Sequence, residues 1–385
     1  MADFPIDSLA QLHLRKSVKW QAFNPDVIPA WIAEMDFALA EPIAAKLHDA
    51  IHRSDTGYAW TGEVGEALGV FSATRWSWIV EPEQVMSVGD VITGVTHVLI
   101  AMTNPGESVV INSPVYPPFF TTITNAAQRE VVDVPLIWDG VRYTFNQAKM
   151  EEVFSRSEVT AYLMCSPHNP TGRVFDHSEM QFIADLAKKY QVLVVADEIH
   201  APITHLDYEF IPYLSVAGEG RAVSVISASK AWNIAGLKCA QVVSNSKQLH
   251  DTLAGLIPIE VQQSSGHLGA MAAVAAYTQG APWLDTMLAH LDTQVTLLRG
   301  LLDLHLPGVS FVAPQASFLA WLDCRALELE LDPAMFFLNQ SQVALNSGPT
   351  FGPSGAGFAR LNFATSAQIL EEIVIRMARS VAEKH

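Results

Sequence analysis

The sequence predicts an α/β fold, a mainly parallel doubly wound sheet in a large unit, followed by a smaller α+β unit. Three observations predict it. Residues 192–196 form a continuous apolar run, as in a strand buried on both faces, and residues 223–227 repeat the pattern. Segments with helical spacing, such as 178–190, separate these runs, which is the β-α-β rhythm of a parallel sheet. Polar residues suited to chemistry recur just past the carboxyl ends of the runs, where open α/β sheets bind their ligands.

Bulk composition narrows the class. A chain of 385 residues has room for one large or two ordinary domains and a sizeable core. Its 23 Lys and Arg stand against 40 Asp and Glu, and the resulting charge of −17 argues against nucleic-acid or anionic-membrane partners. Cys165, Cys239 and Cys324 lie far apart, with neither metal-ligand spacing nor an even disulfide framework, so a reducing compartment is expected. The first seven residues lack a basic region followed by an apolar run, so no signal peptide is expected. No apolar run nears the roughly 20 residues of a spanning helix. The expectation is a soluble, cytoplasmic protein.

In chain order, residues 1–30 mix polar residues with Pro5, Pro25 and Pro29 and read as an arm. Trp31-Ile-Ala-Glu-Met-Asp-Phe37 is too apolar for a linker and reads equally as a docking strand or as part of a site. Residues 41–52 read as a helix with Pro42 in its first turn. Gly57-Tyr-Ala-Trp60 is a loop whose aromatics either pack or reach into a site. Residues 84–89 form a short strand, and a helix from Asp90 to Met102 begins at its end, which makes a phosphate cradle of free N–H groups and helix dipole. Strands follow at 107–112, ending in Ser113-Pro-Val-Tyr-Pro-Pro-Phe119, and at 160–165, ending in Ser166-Pro-His-Asn-Pro-Thr-Gly172. The 192–196 run delivers Asp197 and Glu198, and the 223–227 run delivers Lys230. Beyond about 280 a long helix (283–304) leads to strands at 309–312, 317–321 and 360–363 and a final helix at 366–382. Gly348, Gly352, Gly355 and Gly357 read as a mobile loop, since no βαβ unit frames them as a nucleotide fingerprint. The division expected is an arm (1–45) joining the small unit, a large domain (46–280) that carries the buried strands and a small C-terminal domain (281–385).

Several chemistries are excluded. Ser227-Ala-Ser-Lys230 matches the Ser-x-x-Lys motif of penicillin-recognising hydrolases, but no Lys-Thr-Gly accompanies it. No Gly-x-x-x-x-Gly-Lys-Ser/Thr supports a nucleotide-hydrolysis reading of 192–198. The 13 histidines include no His-Glu-x-x-His, and no metal is expected. What remains is a set in fixed order: Tyr116, Asn169, Asp197, Lys230 and a distant Arg360. Singly, each has an ordinary reading as core, turn, helix cap or surface charge. Together, at strand ends, they ask for a common explanation.

That set resembles the pyridoxal-phosphate enzymes of the aspartate-aminotransferase fold (fold type I), over nearly the whole chain. The local words at 31–37, 114–119, 166–172, Asp197-Glu-Ile-His200 and Ser229-Lys-Ala-Trp-Asn-Ile-Ala-Gly-Leu237 resemble the MalY/PatB-type carbon–sulfur β-lyases, which are cystathionine β-lyase-like. The resemblance implies roles. Lys230 would hold the cofactor aldehyde, and Asp197 would keep the pyridine nitrogen protonated. Asn169 would bond the ring's 3′ oxygen, and Tyr116 would stack on the ring. Gly89, Asp90, Val91 and Ser227 would hold the phosphate. Arg360 would take the substrate carboxylate with a bidentate fork, with Asp36, Tyr58 and Asn169 beside the substrate. Two departures from the wider aminotransferase pattern stand out. His200 replaces a tyrosine near the 3′ oxygen, and Lys238 replaces an arginine eight residues after the lysine, a point charge instead of a fork.

The activity implied is α,β-elimination from L-cystathionine or a related cysteine S-conjugate. The freed Lys230 removes the Cα proton, thiolate leaves Cβ, and the remainder hydrolyses to pyruvate and ammonia. A homodimer is implied, with Tyr58 reaching the neighbouring subunit's phosphate site. Two alternatives share the site: an aminotransferase, and a cofactor-binding regulator that acts through a protein partner.

Overall fold

The computed structural model describes residues 6–384; the first five residues of the expected arm, including Pro5, lie outside them. Seven strands form the main sheet, in spatial order Val85–Val88, Ala240–Ser244, Ala222–Ile226, Leu193–Asp197, Val159–Cys165, Ser108–Ile111 and Glu130–Asp133. The sheet is mixed. Ala240–Ser244 runs antiparallel to both neighbours, and the other pairings within the sheet are parallel. Neither that strand nor Glu130–Asp133 was expected from the sequence.

The pleat sends successive side chains to opposite faces. Val109, Ile111, Leu163, Val195 and Val225 join one core, closed by the helix Val91–Met102. Val110, Tyr162, Met164, Val194 and Ala196 join a second, closed by Gln147–Phe154 and His177–Tyr190. Both faces are apolar, so these strands read as continuous hydrophobic runs. Gly94 lets the first helix lie close to the sheet: a Cβ there would stand 2.9 Å from Val242 and 3.1 Å from Val225.

A four-stranded antiparallel sheet, in order Ser310–Phe311, Leu319–Asp323, Phe358–Asn362 and Asn346–Ser347, lies beyond the 25-residue helix Ala281–His305. The helix Ala367–Ala382, capped by the Ser366 side chain on the Ile369 N–H, packs against it. The chain's first part joins this region: Ile28 and Pro29 pair with Val343 and Ala344 as a short parallel ladder.

Two local expectations are corrected. Residues 31–37 form no docking strand. They are irregular, with one isolated bridge between Ile6 and Phe37. The stretch read as a mobile loop folds as two successive 3₁₀ turns, Gly348–Phe351 and Pro353–Gly355. Gly348 and Gly355 meet face to face there, each would-be Cβ 2.0–2.1 Å from the other's carbonyl oxygen, so glycine is required for closeness of backbone.

Candidate active site

Five strand ends converge on a cavity of about 620 Å³. At one end, Asp90 caps the helix Val91–Met102: one carboxylate oxygen accepts from the Thr93 N–H at 2.8 Å, and the other holds Lys238 Nζ at 2.8 Å. Lys238 sits just before the antiparallel strand in a left-handed conformation (φ 63°), which turns it back to this edge. The N–H groups of Val91 and Ile92 belong to the helix's first turn, which has no acceptor of its own, and both residues line the cavity with Ser229. Two expected phosphate ligands are otherwise engaged. The Gly89 N–H donates to Ser264 Oγ at 2.8 Å, and the Ser227 hydroxyl donates to the Cys239 carbonyl at 2.6 Å while accepting from the Ser229 N–H. Donors that can face an anion here include the Val91 and Ile92 N–H groups, the Ser229 hydroxyl and the N–H bonds of Lys238 not turned to Asp90.

In the middle stands Asp197, buried at the end of its strand, with one oxygen accepting from the Ile199 N–H at 3.1 Å. Burial pushes its carboxyl up to about 7, against that hydrogen bond and the nearby Lys230 charge. Tyr116 forms part of the wall. His200 is buried, its Nδ1 has no hydrogen-bond partner, and burial, then the charges of Lys230 and Arg360, push it down to about 3. It is a neutral imidazole at any ordinary pH.

Lys230 follows the turn from the Ala222–Ile226 strand and donates from Nζ to the Ala33 carbonyl at 2.7 Å. Removal from water, and next the charge of Arg360, lower its amine to about 8. Arg360, opposite Trp321 in the small sheet, is 2% exposed. Its guanidinium donates to Asn169 Oδ1 at 3.1 Å and to the Trp31 carbonyl at 2.8 Å, and lies 5.1 Å from the Phe351 ring centroid. Nε has no partner, and burial lowers the group to about 10. A buried guanidinium with an idle N–H and only neutral hydrogen-bond partners is suited to an incoming carboxylate.

The structure thus brings Tyr116, Asn169, Asp197, His200, Lys230, Lys238 and Arg360 to one cavity with the helix start at Asp90. Two candidates lie elsewhere. Tyr58 is fully exposed and does not line this chain's cavity. Asp36, expected beside the substrate, is instead 2% exposed and paired with the equally buried Lys19 at 2.7 Å. Removing that carboxylate from water requires a partner, and the arm supplies it. The sequence reading missed the carbonyls of Trp31 and Ala33, since any residue type carries them. It also missed Ser229 and Ile92, each adjacent in sequence to a residue that was named.

These residues fit pyridoxal phosphate. A lysine and helix N–H groups suit the phosphate, a buried carboxylate suits a protonated ring nitrogen, and an amine drawn toward neutrality suits an aldehyde.

The comparisons with known proteins agree. The model of the family described as aminotransferase class I and II matches residues 66–377. A Mycobacterium tuberculosis protein provisionally named a cystathionine beta-lyase is 41% identical, over 99% of each chain. The cystathionine beta-lyase PatB of Bacillus subtilis is 30% identical, over 95% of this chain and 97% of its own. The crystal structure of a provisionally assigned PLP-dependent beta-cystathionase from Corynebacterium diphtheriae superposes with a TM-score of 0.93 at 33% identity, covering 99% of each chain. With the cavity, its lysine and its strand-end carboxylate, these matches establish that the chain belongs to the class I and II aminotransferase family, in its MalY/PatB branch.

Proposed function

We propose that this protein is a pyridoxal-phosphate-dependent carbon–sulfur β-lyase that converts L-cystathionine or a related cysteine S-conjugate to a thiol, pyruvate and ammonia. The Arg360 guanidinium, buried with only neutral partners in the same cavity as Lys230, supports an amino-acid substrate, and the full-length likeness to cystathionine beta-lyases supports the lyase over the aminotransferase that would share this site. When bound, the cofactor supplies the electron sink for a carbanion at Cα.

The chain's own residues do the rest. Arg360 and Asn169 hold the substrate carboxylate and so orient the Cα–H bond. Lys230, with an amine near pH 8, is poised to take the Cα proton and to pass it to the departing sulfur. The Cβ–S bond breaks with its electron pair on sulfur, and hydrolysis of the three-carbon remainder yields pyruvate and ammonia. Asp197 would keep a proton on the ring nitrogen, and the buried, neutral His200 adds no competing charge to the cavity.

A homodimer belongs to the same proposal, in which Tyr58, fully exposed on this chain, would reach a neighbouring subunit's phosphate site. So does the division into an arm, a large domain from about residue 46 and a small domain from about 281, supported by the pairing of Ile28–Pro29 with Val343–Ala344. A cytoplasmic location is proposed from the three unpaired cysteines. No helix among the described residues is long and apolar enough to cross a membrane.

Incubating the holoenzyme with L-cystathionine tests the reaction. Thiol, pyruvate and ammonia in equal amounts, over many turnovers, are expected. Stoichiometric pyridoxamine phosphate without pyruvate or thiol would overturn the lyase and leave an aminotransferase.

A further inference from the structure

We infer that Asn233 is a positioning residue for this site: its side-chain amide pins the 31–37 lip, and through that lip it sets where Lys230 and Arg360 point. The lip belongs to no strand ladder, yet each of its seven carbonyls accepts from a side chain. Arg360 takes Trp31, Lys230 takes Ala33, and Asn362 takes Ile32 and Glu34. Lys19 also takes Glu34, and Arg15 takes Met35, Asp36 and Phe37. Asn233 makes the two-pronged contact. Its Oδ1 accepts from the Met35 N–H and its Nδ2 donates to the Met35 carbonyl, both at 2.9 Å. One side chain thus stands in for a neighbouring strand and satisfies both backbone groups of Met35.

The anchors differ in what the reaction asks of them. Lys230 must turn to the cofactor and so must release Ala33, whereas Arg360, with an idle Nε–H, can meet a carboxylate while it still holds Trp31. Arg15 and Lys19 come from the arm, and Asn362 from Arg360's own strand. Asn233 alone lies in the turn that carries Lys230, three residues on, and has no part in the chemistry that would make it let go. It therefore keeps the lip, and with it the Trp31 carbonyl that Arg360 holds, in register with the Lys230 turn while the lysine side chain moves. Its backbone is left-handed (φ 57°), a conformation that asparagine tolerates better than most residues.

The inference rests on the roles proposed for Lys230 and Arg360. The test uses holoenzyme variants Asn233→Gly, which keeps the left-handed turn without strain and loses both bonds, and Asn233→Asp, which keeps an acceptor for the Met35 N–H. Two hydrogen bonds, each worth up to about tenfold, predict a 10- to 100-fold lower kcat/KM in Asn233→Gly, with KM raised and kcat lowered together. The pH midpoint of the cofactor's absorbance band should move as well, and Asn233→Asp should recover part of the loss. A kcat/KM within twofold of wild type with an unmoved midpoint overturns the inference. So does a collapse of melting temperature with loss of cofactor in Asn233→Gly, which would assign the residue to general folding. If wild-type protein releases no thiol from any cysteine S-conjugate, the lyase reading fails. The absorbance midpoint, which needs no turnover, still decides the role of Asn233.

Discussion

Arg360 is a charge that the folded chain leaves unneutralised, so its removal should damage function and spare stability. Burial lowers the guanidinium from its ordinary, strongly basic value to about 10. At 1.36 kcal/mol per pKa step, the folded state carries about 3 kcal/mol of unreturned desolvation. The sign follows from the depressed value. Below about pH 10 the group is charged in folded and unfolded states alike, so the penalty is present in full, and it fades only as pH rises above about 10. The hydrogen bonds to Asn169 and Trp31 offset about 1 kcal/mol each, and their acceptors lose a partner if the arginine goes. Arg360→Met, which retains an apolar stem against Phe351, should therefore come close to break-even, with the melting temperature moving no more than about 2–4 °C.

Function should behave differently. Removing one partner of a buried, hydrogen-bonded charge pair costs roughly 2–5 kcal/mol, so kcat/KM for an amino-acid thioether should fall by about 30-fold to several thousandfold. Much of that fall should appear in KM, because the carboxylate is held before and during the reaction. Arg360→Lys should recover only part, since an ammonium restores charge without the fork. Steady-state kinetics on the holoenzyme, beside a thermal melt of the same preparations, reads both quantities. A melting temperature more than about 10 °C lower would show that the arginine is chiefly structural. A kcat/KM within threefold of wild type would show that the substrate carboxylate binds elsewhere.

Two further outcomes follow from the same site. The Asp197 carboxyl is raised from 3.8 to about 7, so the folded protein loses up to about 4 kcal/mol of stability as pH climbs through that window, and a ring cation opposite it should return that loss. The rise in melting temperature on adding cofactor should be larger at pH 8 than at pH 5, and Asp197→Asn should abolish both that pH dependence and turnover; equal rises at the two pH values would remove Asp197 from the ring nitrogen. Lys238 and Asp90 are 56% and 40% exposed, so Lys238→Ala should leave stability within about 1 kcal/mol. Cofactor affinity should nevertheless drop by about tenfold, more at low salt than at high, and a dissociation constant that ignores both the substitution and the salt would place the phosphate away from Lys238.

The strand-end residues were readable because parallel strands buried on both faces have an unmistakable composition, and their carboxyl ends are where ligands bind. Asp197 ends such a run, and Lys230 lies in the turn just past another. The antiparallel strand Ala240–Ser244 was not readable from the same signal. Gln241 and Ser244 interrupt its apolar pattern, and both are buried, Gln241 with Tyr277 donating to it at 2.8 Å. A polar residue satisfied inside a core looks, in sequence, like a residue that belongs outside it.

The misplacement of Asp36 has a related cause that bears on the chemistry. The lip carries two acids, and nothing in its local sequence says which faces the site. The deciding partner, Lys19, is in the arm, 17 residues earlier, and both members of the pair are 2% exposed. Losing one member would leave a buried, uncompensated charge, costing about 3–5 kcal/mol. The pair therefore fixes how the arm lies against the lip, while Asn233 fixes how the lip lies against Lys230. The acid that sequence placed at the substrate reaches it only through Glu34, whose carbonyl Lys19 also holds, and Ala33, whose carbonyl meets the reactive amine. A backbone oxygen at that point is independent of residue type, so the lip's role in the site had to be found in its geometry.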